Sequence, residues 1–130
     1  MTRINVVPVK ELSDKHLLAE YRELPRVFAL ARQWYVKASL ASSDLPYDEI
    51  PSTYRLGKGH VTFFYDRLLW CFNRQFDLYQ ECLDRGFDVK LDPRKGREDF
   101  LSAPLPLFND YKPTAQAVRI NRARIKERTR

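Results

Sequence analysis

The sequence predicts an all-α fold, a single compact domain over residues 1–130 with three main helices and long irregular loops. Three observations predict it. Apolar residues recur at helical spacing in three separate stretches, and proline, glycine and serine collect between them. The 130 residues are 44% hydrophobic and 13% aromatic, which supplies one core and not two. Such a chain can offset the entropy lost on ordering, as a disordered tail cannot.

The first helix is predicted over 14–37. Ser13 suits its N-cap, Asp14 the positive end of its dipole, and Leu12 and Leu17 a hydrophobic staple across the cap. Leu17, Tyr21, Leu24 and Phe28 follow as a core stripe. Pro25 removes a backbone donor within that stripe, and because the stripe continues past it the expectation is a kink and not a stop. Residues 38–59, rich in Ser and Asp with two Pro and two Gly, read as a loop.

A second helix is predicted from about His60 to Arg85. Val61, Phe64, Leu68, Phe72, Phe76, Tyr79 and Leu83 form its apolar stripe, and Gly86 supplies the stop. Residues 87–112 hold three Pro and little periodicity, as a surface loop does. A third helix is predicted from Thr114 to about Arg128, with a thin apolar strip at Val118 and Ile125.

Compartment and chemistry are bounded by what the composition omits. No stretch approaches the ~20 apolar residues of a bilayer span, and Met1-Thr2-Arg3 opens without an apolar signal core, so the expectation is a soluble, cytoplasmic chain with no membrane partner. Cys71 and Cys82, eleven apart on one helix, stand about 16 Å apart at ~1.5 Å per residue, too far for a disulfide. They read as reduced core thiols. His16 and His60 are the two histidines, and no Cys/His cluster of metal-ligand spacing exists, so no metal or other cofactor is expected.

The net charge of +6 is unevenly spread. Residues 1–37 carry seven Lys/Arg against four acids and residues 113–130 six against one, while the middle of the chain is slightly acidic. A basic domain with its excess in two segments points to a polyanion, with nucleic acid the natural partner. Arg55 and Lys58 are candidates for a DNA-facing loop. The competing reading is that the C-terminal run is a solvated helix end.

On a helical wheel Arg22, Arg26, Glu23 and His16 fall within an arc of about 120° beside the core stripe, with Ala19 in its floor. A carboxylate between two guanidiniums suits a site that grips phosphate and keeps one anion at the chemistry. It equally suits an exposed structural pair, since Glu23 and Arg26 are i, i+3 neighbours. Thr2 is small enough for removal of Met1, which leaves a free α-amine beside Arg3. An α-amine titrates near 7.7–8.0 against roughly 10.4 for lysine, so near neutral pH it is the better Schiff-base nucleophile.

Met1-Thr2-Arg3-Ile4-Asn5, residues 16–28 (HLLAEYRELPRVF) and residues 59–87 (GHVTFFYDRLLWCFNRQFDLYQECLDRGF) resemble, in order and spacing, the pyrimidine-dimer DNA glycosylases of the phage endonuclease V type. The resemblance implies an all-helical enzyme that excises cyclobutane pyrimidine dimers from ultraviolet-damaged duplex DNA, then nicks the abasic site without a metal. It implies that the Thr2 α-amine attacks the sugar C1′ and forms an imine. Glu23 then stabilises charge on the sugar and assists the β-elimination. By the same resemblance Arg22 and Arg26 hold phosphates around the lesion, Arg3 and His16 lie near the same backbone, and Arg124 and Arg128 align with basic DNA contacts. The family kinks its duplex and turns out an adenine opposite the dimer.

Departures from the pattern are visible. A family member continues into an aromatic tail where this sequence ends at Arg130, residues 29–58 and 88–112 diverge, and Lys15 stands where that member has an amide. Lesion preference is thus less constrained than the chemistry. Two other readings remain, a catalytically silent DNA-binding module and a helical interaction protein whose arginines pair internally. Nothing in the sequence calls for more than a monomer.

Overall fold

Helices form every α or β element in the computed structural model, which describes residues 3–90 and 103–128. Among the described residues there is no strand. The first predicted helix is built as two arms, α1 (Asp14–Glu23) and α2 (Pro25–Leu40). Ser13 caps it, its hydroxyl oxygen accepting from the His16 amide at 3.2 Å, and Leu12 and Leu17 are both buried at the staple positions. Leu24 keeps helical torsions and donates to Glu20 O at 2.8 Å, so the bend arises where Pro25 has no N–H to continue the ladder.

α2 runs three residues beyond the expected end at 37. Ala38, Ser39 and Leu40 tolerate helix, and the chain leaves it only where Ser42 turns left-handed (φ 53°) and Ser43 N returns to Ala38 O at 3.1 Å. The second helix is shorter than expected. α3 spans Leu68–Asp84, and residues 60–67 form turns that include a 3-10 turn at Thr62–Phe64. Long-range ties shape this stretch, which local periodicity does not reveal. The Asn109 amide donates to Asp66 O at 2.8 Å, and Asn109 O accepts from Trp70 N at 3.3 Å.

The apolar stripe of α3 also needs correction. Phe64 and Leu68 are buried, but Val61, Phe72 and Tyr79 are only partly so, and Phe76 and Leu83 are 37% and 43% exposed. The buried face is Leu68, Cys71, Arg74, Gln75, Leu78 and Cys82. Two polar residues sit on it, so hydrophobicity alone assigns the stripe to the wrong phase. The stop is as expected, with Gly86 at φ 85° and Phe87 N bonded to Cys82 O at 2.9 Å. Cys71 and Cys82 are buried free thiols.

The last helix, α4, spans Ala115–Arg128, and Thr114 caps it by accepting from Ala117 N at 3.0 Å. Its buried residues are Ala117 and Asn121, whereas the expected strip residues Val118 and Ile125 are only partly covered. Of the loop expected over 87–112, residues 91–102 lie outside the described residues. The described remainder is irregular apart from one 3-10 turn at Leu105–Leu107.

α1 packs on α3 and on α2. Leu17, Tyr21, Leu24 and Phe28 enter the core as expected and meet Phe63, Phe64, Leu78 and Leu107 there. Burying each such aliphatic or phenyl side chain is worth roughly 1.5–3 kcal/mol. Ile4 and Val7 join the same core from a segment that is neither helix nor strand. No helix among the described residues is long and apolar enough to cross a membrane.

Candidate active site

Buried peptide groups need partners, and residues 3–7 have no helix or sheet to supply them. Side chains from elsewhere do so. The Arg3 amide donates to Glu23 Oε2 at 3.0 Å, and the Ile4 amide to His60 Nε2 at 2.9 Å. Tyr54 donates its hydroxyl to Ile4 O at 3.1 Å. Asn121 Oδ1 accepts from two successive amides, Val6 at 2.7 Å and Val7 at 3.1 Å, and Arg74 Nη1 donates to Val7 O at 2.5 Å.

The Asn5 side chain closes the set, donating to Glu20 Oε1 and accepting from Asn121 Nδ2, both at 2.8 Å. Glu20 is fully buried and is gripped by the Arg74 fork, Nε to Oε2 at 2.8 Å and Nη2 to Oε1 at 3.0 Å. A buried carboxylate is tolerable only with this kind of charge-assisted, two-point pairing. His60 must be neutral here. The Ile4 N–H can only donate, so Nε2 is the acceptor, and the proton assigned to Nδ1 goes to Arg55 O at 2.7 Å. Burial pushes the His60 pKa down, against the Arg55 carbonyl.

The N-terminal segment and one face of α1 bound an open hollow of about 370 Å³. Arg3, Asn5, Lys15, His16, Ala19, Glu20, Glu23 and Arg128 line it. Ala19, one turn before Glu23, leaves the floor low. Since Arg74 takes up both Glu20 oxygens, Glu23 is the carboxylate left to the hollow. Cations surround it. Burial, then Arg124 and Arg128, lower the Arg3 pKa, yet a guanidinium stays charged at any ordinary pH. Burial, then Lys15 and Arg3, lower the His16 pKa, and its Nε2 has no hydrogen-bond partner among the described residues. A concave, cation-rimmed hollow with one carboxylate left to it suits an anionic ligand such as a phosphodiester.

Of the residues the sequence singles out, the fold brings Arg3, His16, Glu23 and Arg128 to this hollow. Arg124 is near enough to act on Arg3, and it reaches Glu127 at 3.6 Å. Arg22 lies apart, lining a smaller depression with Leu18, Tyr21 and residues 87–90, and Arg26 is exposed in the first turn of α2. The wheel arc therefore splits into a wall of the hollow and an outer basic edge. Thr2 lies outside the described residues. Arg55 and Lys58 are exposed on the loop, where Arg55 also supplies the carbonyl that fixes His60.

Sequence reasoning missed Asn5, Glu20, His60, Arg74 and Asn121, which hold the segment beside the site. One signal was available. Arg74 shares a helical face with Cys71, Leu78 and Cys82, and a charge on an apolar face needs a buried counter-charge. Among the described residues, no three His, Cys, Asp or Glu side chains come together as a metal site.

The sequence model of the pyrimidine dimer DNA glycosylase family matches residues 1–94. This chain belongs to that family. The family supports pyrimidine dimer DNA glycosylase activity and, with it, DNA containing pyrimidine dimers as the substrate class. The matched stretch carries Arg3, His16, Glu20, Glu23, His60 and Arg74. Asn121, Arg124 and Arg128 come from α4, beyond it.

Proposed function

We propose that this glycosylase works through an imine and goes on to cut the strand at the abasic sugar. The Thr2 α-amine is the nucleophile, exposed once Met1 is removed. The observation that carries the reading is the 3.0 Å bond from the Arg3 amide to Glu23 Oε2. Only two backbone atoms separate the Arg3 nitrogen from that of residue 2, so covalent geometry keeps the amine within about 4 Å of the amide that touches Glu23.

The neutral amine attacks C1′ of the 5′ nucleotide of the dimer as the glycosidic bond breaks, and the pyrimidine leaves with the bonding pair and a proton. Glu23 stabilises the positive charge growing on the sugar. The C1′–O4′ bond then breaks and the ring oxygen ends as a hydroxyl carrying the remaining amine proton, which leaves the C1′=N imine. Glu23 then accepts the C2′ proton, the electrons move to form a C2′=C3′ double bond, and the C3′–O bond breaks to release the 3′ phosphate. Hydrolysis frees the amine. The reaction calls on no metal.

Arg3, His16 and Arg128 at the hollow, with Arg124 near Arg3, hold the phosphates that flank the reacting sugar. Arg22 and Arg26 take those further along the duplex. A DNA-binding module without chemistry would use the same arginines but not the amine.

Borohydride added to the protein on a dimer-containing or abasic duplex, with chelator present, tests the proposal. A covalent adduct is expected, and E23Q is expected to bind the damaged duplex while losing glycosylase turnover. No adduct, or full turnover in E23Q, overturns this mechanism.

A further inference from the structure

We infer that Asn121 is a positioning residue for the reaction, setting the register of the N-terminal amine from a helix outside the matched family stretch. The inference rests on the imine reading above. Asn121 is fully buried on α4, and its three side-chain hydrogen bonds among the described residues all go to the N-terminal segment. Its Oδ1 holds the Val6 and Val7 amides together, and its Nδ2 turns the Asn5 side chain so that Asn5 reaches Glu20. Glu20 is in turn fixed by Arg74, which also holds Val7 O.

The segment has no ladder of its own, so its position along its own axis is set by these points. Only the Arg3 amide and the Ile4 contacts with His60 and Tyr54 lie between Asn121's grip and residue 2. Sliding at Val6 moves the amine relative to Glu23. A displacement near 1 Å of a reacting group can cost about a hundredfold in rate. Arg124 and Arg128 follow Asn121 by about one and two turns on the same helix and lie near Arg3, held there by the helix and not by the Asn121 side chain.

N121S and N121D test this. Serine is too short to reach both amides but leaves room for water to pair them, so the fold survives while the register loosens. Aspartate keeps the acceptor for both amides and loses the donor to Asn5, at a cost in stability because it places a carboxylate near Glu20. On an abasic duplex, N121S is expected to slow borohydride trapping at least about tenfold. Its duplex affinity is expected to stay within about twofold, because no phosphate contact is removed. N121D is expected to trap faster than N121S despite the lower melting temperature.

The inference is overturned if N121S traps at the parent rate, or if trapping in the two variants follows melting temperature alone. A parent protein that never traps, while its variants bind DNA as it does, overturns the imine reading instead.

Discussion

Residues 3–7 and helix α4 touch one another and are built in opposite ways. α4 satisfies its own backbone and buries little beyond Ala117 and Asn121, leaving its basic side chains other than the half-buried Arg124 outside. The segment buries Ile4, Val6 and Val7 yet has no secondary structure, and its peptide groups depend on side chains from residues as distant as 121. A self-sufficient helix tolerates change on its outer face, which suits contact with a repeating run of phosphates. A segment whose peptide groups are held by five remote side chains cannot drift, which is what the proposed mechanism asks of it.

Breaking the segment's anchor gives the largest effect. R74M leaves Glu20 buried without its cation and is expected to cost about 3–5 kcal/mol in chemical denaturation. The pair E20L/R74M, which removes both charges, is expected to recover much of that loss. If R74M alone proves neutral, the anchor is not where the segment's stability resides.

The next effect is with pH. Because native His60 has a lowered pKa, the unfolded chain takes up a proton near the ordinary value of 6.5 while the native ring stays neutral. Stability is therefore complete above that pH and falls as the solution is acidified, until native His60 itself is protonated. His16 acts in the same direction. A melting series from pH 7.5 downward is expected to slope accordingly, and H60Q, which keeps an acceptor for the Ile4 amide but cannot charge, is expected to flatten it.

On the α4 side the effects are smaller and appear in binding. R124A and R128A are each expected to reduce the dependence of log K on log salt by about one, with the melting temperature little changed. Arg122 on α4 pairs with Glu11 at 2.6 Å, both side chains exposed. E11A is expected to leave both melting and DNA binding within experimental scatter, as exposed pairs usually do. A large loss in E11A would mean that α4 is held by its surface and not through Asn121.

Much was legible in the sequence because it is local. Ser13, the Leu12/Leu17 staple, the Pro25 bend and the Gly86 stop each act through neighbours within a turn or two, so residue type and spacing suffice to place them. Glu23 and His16 were legible as one face of α1 for the same reason. The fold separated Arg22 and Arg26 from that face's hollow, which no wheel can show. The start of α3 and its buried phase were not legible, because Asn109 and Glu20, which decide them, are far along the chain.

The sequence by itself determined an all-helical chain, the bend in its first helix, the basic excess at its two ends and the residues that mark its family. Tertiary structure alone decided that Arg3 meets Glu23, that Glu20 meets Arg74 and that Asn121 grips Val6 and Val7. The physical reason is sequence separation. A cap or a stop is satisfied within a few residues, whereas a buried amide or carboxylate takes whichever partner the whole fold brings to hydrogen-bond distance.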